Sequence, residues 1–219
     1  MNILVLLGKI FLGIFAFANV ALALYLNRNK FAFAISIWKR IRIGMCIQTF
    51  AVVVLTITFA VTCIILFPAT NWGWANLFFQ DGGNVLIKPV LETSDSPHLL
   101  IRLIAPLFLL VFLAVMPFVT HTEEILFRKG YHSWKKIMWQ SIKFGFVHMT
   151  VGVPLAAAIM LCGVGAFFAY KYHKAYLGLS QILPEALAEE VAVLTSTTYH
   201  TVYNSIVIGI LLIVTIAAL

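Results

Sequence analysis

The sequence contains few charged residues and few cysteines. Charged side chains make up 11% of the 219 residues, and Asp and Glu together number only 8. The 3 cysteines all lie inside apolar runs and lack the spacing of metal ligands. Soluble domains usually contain about 25% charged residues, so this composition excludes an ordinary soluble protein. With so few acids, the position of each one carries information.

Long apolar runs dominate the chain instead. Hydrophobic residues make up 62% of it, and the mean hydropathy is +1.00. A helix that crosses a bilayer needs about 20 apolar residues. The runs that qualify are Ile3 to Leu26, Gly44 to Phe67, Leu99 to Val119, Ile137 to Val153, Pro154 to Tyr170 and Val191 to Leu219. We therefore predict an all-α fold, a polytopic membrane helix bundle of about six transmembrane helices. Residues 1–98 would form an N-terminal transmembrane hairpin and an interfacial loop, and residues 99–219 a core within the same membrane domain.

The basic residues gather in alternate loops and predict the orientation. These residues are Arg28, Lys30, Lys39, Arg40 and Arg42, then Arg128, Lys129, Lys135 and Lys136, then Lys171 and Lys174. Basic loops of membrane proteins face the cytoplasm, so both termini are expected on the other side. The net charge of +7 then reflects topology and attraction to anionic membrane lipid. Nucleic acid is not an expected partner, because no basic stretch is interleaved with an aromatic platform.

Two adjacent acids follow the third apolar run. Glu124 and Arg128 are four residues apart and share a helical face, which predicts an ion pair. Glu123 points to another face, and two neighbouring carboxylates in a low-dielectric site cannot both ionise at low cost. The unpaired acid, Glu123, is therefore a candidate general base. Alternatively, both acids only balance the basic residues at the membrane interface.

Two further pairs of polar or aromatic residues have helical spacing. Phe144 and His148 are four residues apart, and the histidine is either functional or a hydrogen-bonded packing residue. His200 and Asn204 are also four apart and present two donors toward one point. Such donors suit an oxyanion hole or, alternatively, hydrogen bonds between helices. Glu185, Glu189 and Glu190 are predicted as solvated residues at the start of the last helix.

Taken in order, Glu123-Glu124-x-x-x-Arg128, Phe144-x-x-x-His148 and His200-x-x-x-Asn204 resemble the three motifs of the CPBP family. This family comprises CAAX prenyl endopeptidases and bacteriocin-processing or immunity proteins, also called Abi. The resemblance covers about residues 100–219. One departure is Lys129, which stands where many relatives have glycine directly after the motif arginine. His121 and Thr122 also replace the more usual small residues or proline.

The resemblance implies a glutamate-dependent intramembrane endopeptidase that works without a metal or another cofactor. Its site would be open to the cytoplasm and would act on a peptide or lipidated protein substrate. In the implied catalytic set, Glu123 activates water, His148 orients that water, and His200 with Asn204 stabilises the oxyanion. Glu124, Arg128 and Phe144 would support this set.

Several alternatives stay open at this point. The third span either extends to Arg128 with Glu123 buried, or the 120–135 segment dips back into the bilayer. A non-enzymatic immunity or scaffolding protein would keep the same motifs for packing. Intramembrane Glu and His residues also occur in transporters and zinc sites, although the chain shows no inverted repeat. Both a prenylated tail and a leader peptide fit as substrates.

Overall fold

A computed structural model of the chain describes residues 3–79, 84–95, 98–217 and 219. Within these residues the chain is helical and has no β-strand, which confirms the all-α fold. The α-helices are α1 (Ile3–Leu26), α2 (Phe31–Lys39), α3 (Ile43–Leu66), α4 (Lys88–Leu91), α5 (Leu99–Arg102), α6 (Ile104–Phe127), α7 (Trp134–Val147), α8 (Leu155–Leu179) and α9 (Glu185–Ala217). Short 3-10 helices span Pro68–Asn71, Trp74–Leu77, Glu92–Asp95 and His148–Val151.

Five helical segments in the described residues are long and apolar enough to cross a membrane, one fewer than the sequence predicted. They are Ile3–Leu26, Ile43–Leu66, Leu99–Phe127, Leu155–Leu179 and Glu185–Ala217. The predicted span at 137–153 is instead the 14-residue helix α7 followed by one 3-10 turn. A 14-residue helix is about 21 Å long, which is less than the hydrocarbon thickness of a bilayer. The chain is therefore a multi-pass membrane protein in which α7 is shorter than the five candidate spans.

Hydrogen bonds and ring contacts define two ends of the bundle. At one end, Trp74 Nε1 donates to the Met149 carbonyl at 2.9 Å, and Lys9 pairs with Glu92 at 3.0 Å. At the other end, the ring of Phe33 lies 4.7 Å from that of His121, so α2 contacts the last turns of α6. We call this second end the basic end, because the connection between α2 and α3 and that between α6 and α7 both lie there.

Helix α6 extends further than hydropathy predicted. Instead of ending near Val119, it continues to Phe127, so the acids at 123 and 124 lie within the bundle. Thr120 supports this extension: its hydroxyl donates to the Met116 carbonyl at 2.9 Å and lies 2.8 Å from the Thr201 hydroxyl of α9. Of the two arrangements considered above, the continuous helix is the one present, but it ends at Phe127 and leaves Glu123 partly exposed instead of buried.

Helices α7 and α8 approach each other closely at two glycines. A Cβ atom built on Gly145 would lie 2.5 Å from both the Ala158 carbonyl oxygen and the Cys162 backbone nitrogen. A Cβ on Gly165 would lie 2.9 Å from the Phe144 ring. Small residues permit such close helix packing in membranes. The tight turn between the two helices uses Gly152, whose φ of 83° is in the left-handed region that favours glycine.

The other long helices surround the core formed by α6 to α9. Helix α1 packs mainly on α6, whereas α3 packs mainly on α8 and α9. The segment between α3 and α6 is partly buried as well, because Val90 belongs to the same buried apolar cluster as Ala105 and Val115 of α6. Helix α3 buries only Thr49 and Val53. The remaining apolar surface of α1 and α3 suits contact with lipid.

The start of α9 differs from its prediction in one residue. Glu185 and Glu190 are exposed, as expected, but the Glu189 side chain is only 15% exposed. Its carboxylate accepts hydrogen bonds from the Gly130 backbone N–H at 2.6 Å and from His132 Nε2 at 2.9 Å. Glu189 therefore links α9 to the connection between α6 and α7 through hydrogen bonds. Its position in the sequence did not indicate this role.

Candidate functional site

The two adjacent acids of α6 lie in different environments. The Glu124 side chain is fully buried, whereas the Glu123 side chain is 29% exposed. Glu123 lines a cavity of about 410 Å³ between α1 and α6. Only one of the two carboxylates is therefore accessible to a water molecule or a substrate.

Glu124 is held by donors from its own helix and from α9. Ser196 Oγ donates to Glu124 Oε2, and His200 Nδ1 donates to Glu124 Oε1 at 2.9 Å. Arg128 Nε lies 3.5 Å from Glu124 Oε2, which is the ion pair predicted from their spacing. A buried carboxylate is stable only when it has a counter-charge and hydrogen-bond donors, and Glu124 has both. Glu124 is thus a fixed structural acid that joins α6 to α9.

Arg128 extends the network to α8. Its side chain is fully buried, and Nη2 donates to the Gly165 carbonyl at 3.0 Å. The guanidinium carbon also lies 5.3 Å from the centre of the Phe144 ring, a cation–π contact with α7. Arginine remains cationic at neutral pH, so Arg128 supplies the counter-charge for the network.

His200 lies between the two acids. Its Nδ1 binds Glu124, and its Nε2 lies 3.4 Å from Glu123 Oε2. Because a carboxylate accepts hydrogen bonds, the Nδ1 contact fixes a proton on that nitrogen. The imidazole then positions Glu123 through Nε2, either as a donor when it is cationic or as an acceptor from a protonated Glu123. A contact chain thus runs from Arg128 through Glu124 and His200 to Glu123.

Aromatic rings enclose the His200 imidazole. The Phe168 ring stacks on the imidazole with 4.3 Å between ring centroids. The Phe144 ring packs against it in a T-shaped arrangement with 5.4 Å between ring centroids. Only 2% of the His200 side chain is exposed. The rings exclude water from this imidazole, so its contacts with carboxylates are less screened than they would be at a surface.

His148 is adjacent to this group but is bound differently. Its ring lies 4.8 Å from that of Phe144, as their spacing predicted. His148 Nδ1 donates to the Phe144 carbonyl at 2.6 Å. In the neutral imidazole this leaves Nε2 as an acceptor. Among the described residues, no hydrogen bond or ion pair joins His148 to Glu123.

Asn204 lies one helical turn after His200 on α9 and is partly exposed. Within the described chain it makes no side-chain hydrogen bond, so its amide is available as a donor. The cavity at Glu123 is not lined by His148, His200 or Asn204. Of the predicted residues, Glu123, Glu124, Arg128, Phe144 and His200 thus form one contact group, with His148 and Asn204 beside it.

The cavity at Glu123 is mainly apolar. Its walls come from α1 and α6, and the polar side chains besides Glu123 are Asn19, Asn27 and Thr122. No group of three His, Cys, Asp or Glu side chains in the described residues has the arrangement of a metal site. The His121 side chain has a partner outside this cavity, because its Nδ1 lies 3.2 Å from the Thr197 hydroxyl.

Sequence reasoning missed several contributors to the site. Ser196 bridges Glu124 and the Phe168 carbonyl, which it reaches at 3.0 Å. Phe168 stacks on His200, and Gly165 supplies a carbonyl to Arg128. The signal for Ser196 was present, because it lies four residues before His200 in a run of hydroxyl residues unusual for an apolar helix. Nothing in the sequence distinguishes Phe168 from the other aromatic residues of α8.

No family model, curated protein or solved structure matches the chain. The likeness to the CPBP family therefore depends on the three spaced motifs.

Proposed function

We propose that the protein is a glutamate-dependent intramembrane endopeptidase in which Glu123 activates the hydrolytic water. The observation that carries this proposal is the contact chain from Arg128 through Glu124 and His200 to a partly exposed Glu123. Charged groups in the bilayer cost free energy because each one must be desolvated, and ionisable residues inside a membrane therefore usually have a function. A fixed acid, an imidazole and an accessible second acid are typical of a site built for proton transfer.

The proposed reaction is the hydrolysis of one peptide bond. Glu123 accepts a proton from water, and the resulting hydroxide attacks the carbonyl carbon to give a tetrahedral oxyanion. When the intermediate collapses, the carbon–nitrogen bond breaks and Glu123 returns the proton to the leaving amine. The products are a carboxylic acid and an amine, and Glu123 is again a carboxylate.

The contacts support a division of roles among the polar residues. We assign His200 as a positioning residue, because its Nε2 faces Glu123 and its Nδ1 is bound to Glu124. This assignment modifies the expectation that His200 donates to the oxyanion. Asn204 retains the proposed role of hydrogen-bond donor to the oxyanion, because its side-chain amide makes no hydrogen bond within the described chain. His148 Nε2 is suited to accept a hydrogen bond from the attacking water.

The substrate class follows from the resemblance and from the cavity. The CPBP-like motifs favour a membrane-associated or lipidated peptide. An apolar cavity of about 410 Å³ beside Glu123 is compatible with an apolar portion of such a substrate. Because Glu123 lies near the basic end, we propose access from the cytoplasm.

A second candidate is a non-enzymatic immunity or scaffolding protein of the same fold. The observation that favours it is the complete burial of Glu124 and Arg128, whose contacts hold α6, α8 and α9 together. In this case the motifs would serve packing alone, and the partial exposure of Glu123 would have no chemical consequence.

The two candidates are separated by a comparison of peptide termini. Membranes that contain the wild-type protein, Glu123→Gln or Glu190→Gln are incubated, and new termini are identified by mass spectrometry. Glu190 is an exposed acid of α9, so Glu190→Gln is the matched control for loss of a carboxylate. Loss of a general base typically lowers a rate by about 10²- to 10⁴-fold. We expect new termini with the wild-type protein and the control, and none with Glu123→Gln.

The same Glu123→Gln variant is expected to retain uncleaved substrate, which can be isolated with it. The endopeptidase assignment would be abandoned if the wild-type protein generated no termini beyond those of membranes without it. It would also fail if Glu123→Gln generated the same termini at the wild-type rate.

A further inference from the structure

A second cavity lies at the basic end, between the α2–α3 region and α9. It has a volume of about 480 Å³. Three cations from the end of α2 and the connection between α2 and α3 line it, and α9 contributes hydroxyl groups. The cations are Lys39, Arg40 and Arg42, and the hydroxyl residues are Thr195, Thr198 and Tyr199.

The charges around this cavity are of one sign. No carboxylate lines it, and none of its three cations makes a side-chain hydrogen bond or ion pair among the described residues. A fourth cation extends the group, because Lys171 Nζ lies 4.6 Å from the centre of the Tyr199 ring. The three cations are exposed, and like charges that line one cavity give it a positive potential that an anion would reduce. The cavity therefore favours an anionic ligand.

The first turn of α3 contributes donors as well. Arg42, the residue before the helix, has extended backbone dihedrals and provides no side-chain cap. Within the described chain the backbone N–H groups of Ile43 and Gly44 have no intramolecular acceptor. The start of this 24-residue helix thus places free donors and the positive end of the helix dipole directly after Arg42 of the cation group.

The surface that continues from the cavity is apolar. Ile43 is 77% exposed, Ile47 is 64% exposed and Phe50 is 55% exposed, all on the first turns of α3. A free phosphate would leave these side chains uncovered, whereas the acyl chains of a lipid would lie along them. Basic groups at the end of a membrane helix also lie at the depth of lipid headgroups.

We propose that this cavity binds the phosphate group of an anionic lipid headgroup, with the acyl chains along α3. Lys39, Arg40 and Arg42 neutralise the phosphate, and the free N–H groups of α3 donate to its oxygens. The site is distinct from the Glu123 cavity and does not depend on the proposed protease activity.

The test is a native mass spectrometry titration of the full chain in a zwitterionic detergent. The probes are dioleoyl phosphatidic acid and, for comparison, zwitterionic dioleoyl phosphatidylcholine. One variant replaces Lys39, Arg40 and Arg42 with Gln. The matched control replaces Lys135, Lys136 and Lys174 with Gln, which removes the same charge from exposed positions on α7 and α8. Loss of three cations from the site should weaken phosphatidic acid binding by on the order of 100-fold, while the control retains wild-type affinity.

Thr195→Asp provides an independent variant, because it adds a carboxylate to the cavity without removing any basic residue. It should weaken phosphatidic acid binding by roughly tenfold, and circular dichroism verifies that each variant is folded. Equal losses in both triple variants would mean diffuse surface attraction and would overturn the proposal. Equal binding of the two lipids, or wild-type binding by Thr195→Asp, would overturn it too.

Inorganic phosphate is titrated calorimetrically in a separate experiment without lipid. We expect inorganic phosphate not to bind at the concentrations at which phosphatidic acid binds. If inorganic phosphate binds as tightly and displaces the lipid, the ligand is free phosphate and the assignment to a lipid is wrong.

Discussion

Helices α3 and α9 are both long and apolar, but they bury different kinds of residue. Helix α3 buries only Thr49 and Val53. Helix α9 buries a longer and more polar set, namely Ala188, Ala192, Val193, Ser196, Thr197, Thr198, His200, Thr201, Val202, Tyr203, Ile208 and Thr215. Polar groups are stable in a low-dielectric interior only when partners satisfy them. The partners of Ser196, His200 and Thr201 lie on α6 and α8, whereas Thr198 and Thr215 donate to carbonyl groups of α9 itself.

The difference separates two tasks within one bundle. Helix α3 presents most of its surface outward, with Leu55 67% exposed and Ile65 71% exposed, as expected for contact with lipid. Helix α9 joins the core and holds His200 between two acids. The proposed peptide hydrolysis is therefore expected to depend on residues of α6 and α9. Substitutions on the outer face of α3 should have little effect on folding.

The largest expected effect on folding is that of Arg128→Ala. Removal of the guanidinium leaves the buried Glu124 carboxylate without its counter-charge. Breaking a buried pair in this way typically costs about 3 to 5 kcal/mol. The free energy of unfolding, measured by denaturant titration in mixed micelles, should fall by that amount. Lys129→Ala, one residue later and exposed, should remain near wild type, and equal stability of the two variants would refute the role of the network.

A smaller loss is expected when a leucine of the core is truncated. Leu109 of α6 is fully buried, whereas Leu55 of α3 is 67% exposed. Leu109→Ala should cost roughly 3 kcal/mol because it leaves a cavity, and Leu55→Ala should stay within about 0.5 kcal/mol. The same titration measures both variants. Similar losses of stability in the two variants would show that α3 is packed as tightly as the core, contrary to the difference between α3 and α9 described above.

A still smaller effect is expected at the contact between α7 and α8. In Gly145→Ala the new methyl group would meet the backbone of α8 at 2.5 Å, so the helices must separate. Overpacking of this kind typically costs roughly 2 kcal/mol. Gly163→Ala is the matched control, since a Cβ there meets no heavy atom within 4 Å. Thermal unfolding of both variants tests this, and a Gly145→Ala protein as stable as the control would exclude the close approach.

The sequence predicted much of the fold but not every boundary. Hydropathy located α1 and α3 to within about a residue, because their faces are apolar throughout. It ended the third span near Val119, since it cannot register that Thr120 and Glu124 have partners on α9. Hydropathy also predicted a full transmembrane span at 137–153. The helix there is shorter, because charged residues lie in the α7 region and the chain turns at Gly152.

Part of the candidate site was also predictable. The spacing of Glu124 and Arg128 predicted their ion pair, which is present at 3.5 Å. The spacing of Phe144 and His148 predicted their ring contact. Which imidazole lies against Glu123 depends on how α6 packs on α9, and no local pattern encodes that packing. The contributions of Ser196 and Phe168 depend on the same packing.

The most direct test of the role of Glu123 compares Glu123→Gln with Glu124→Gln, each purified and assayed on a substrate peptide identified from its new terminus. We expect Glu123→Gln to lose cleavage by about 10²- to 10⁴-fold and to keep the wild-type unfolding temperature, while Glu124→Gln lowers that temperature. Wild-type cleavage by folded Glu123→Gln would show that Glu123 is not the general base.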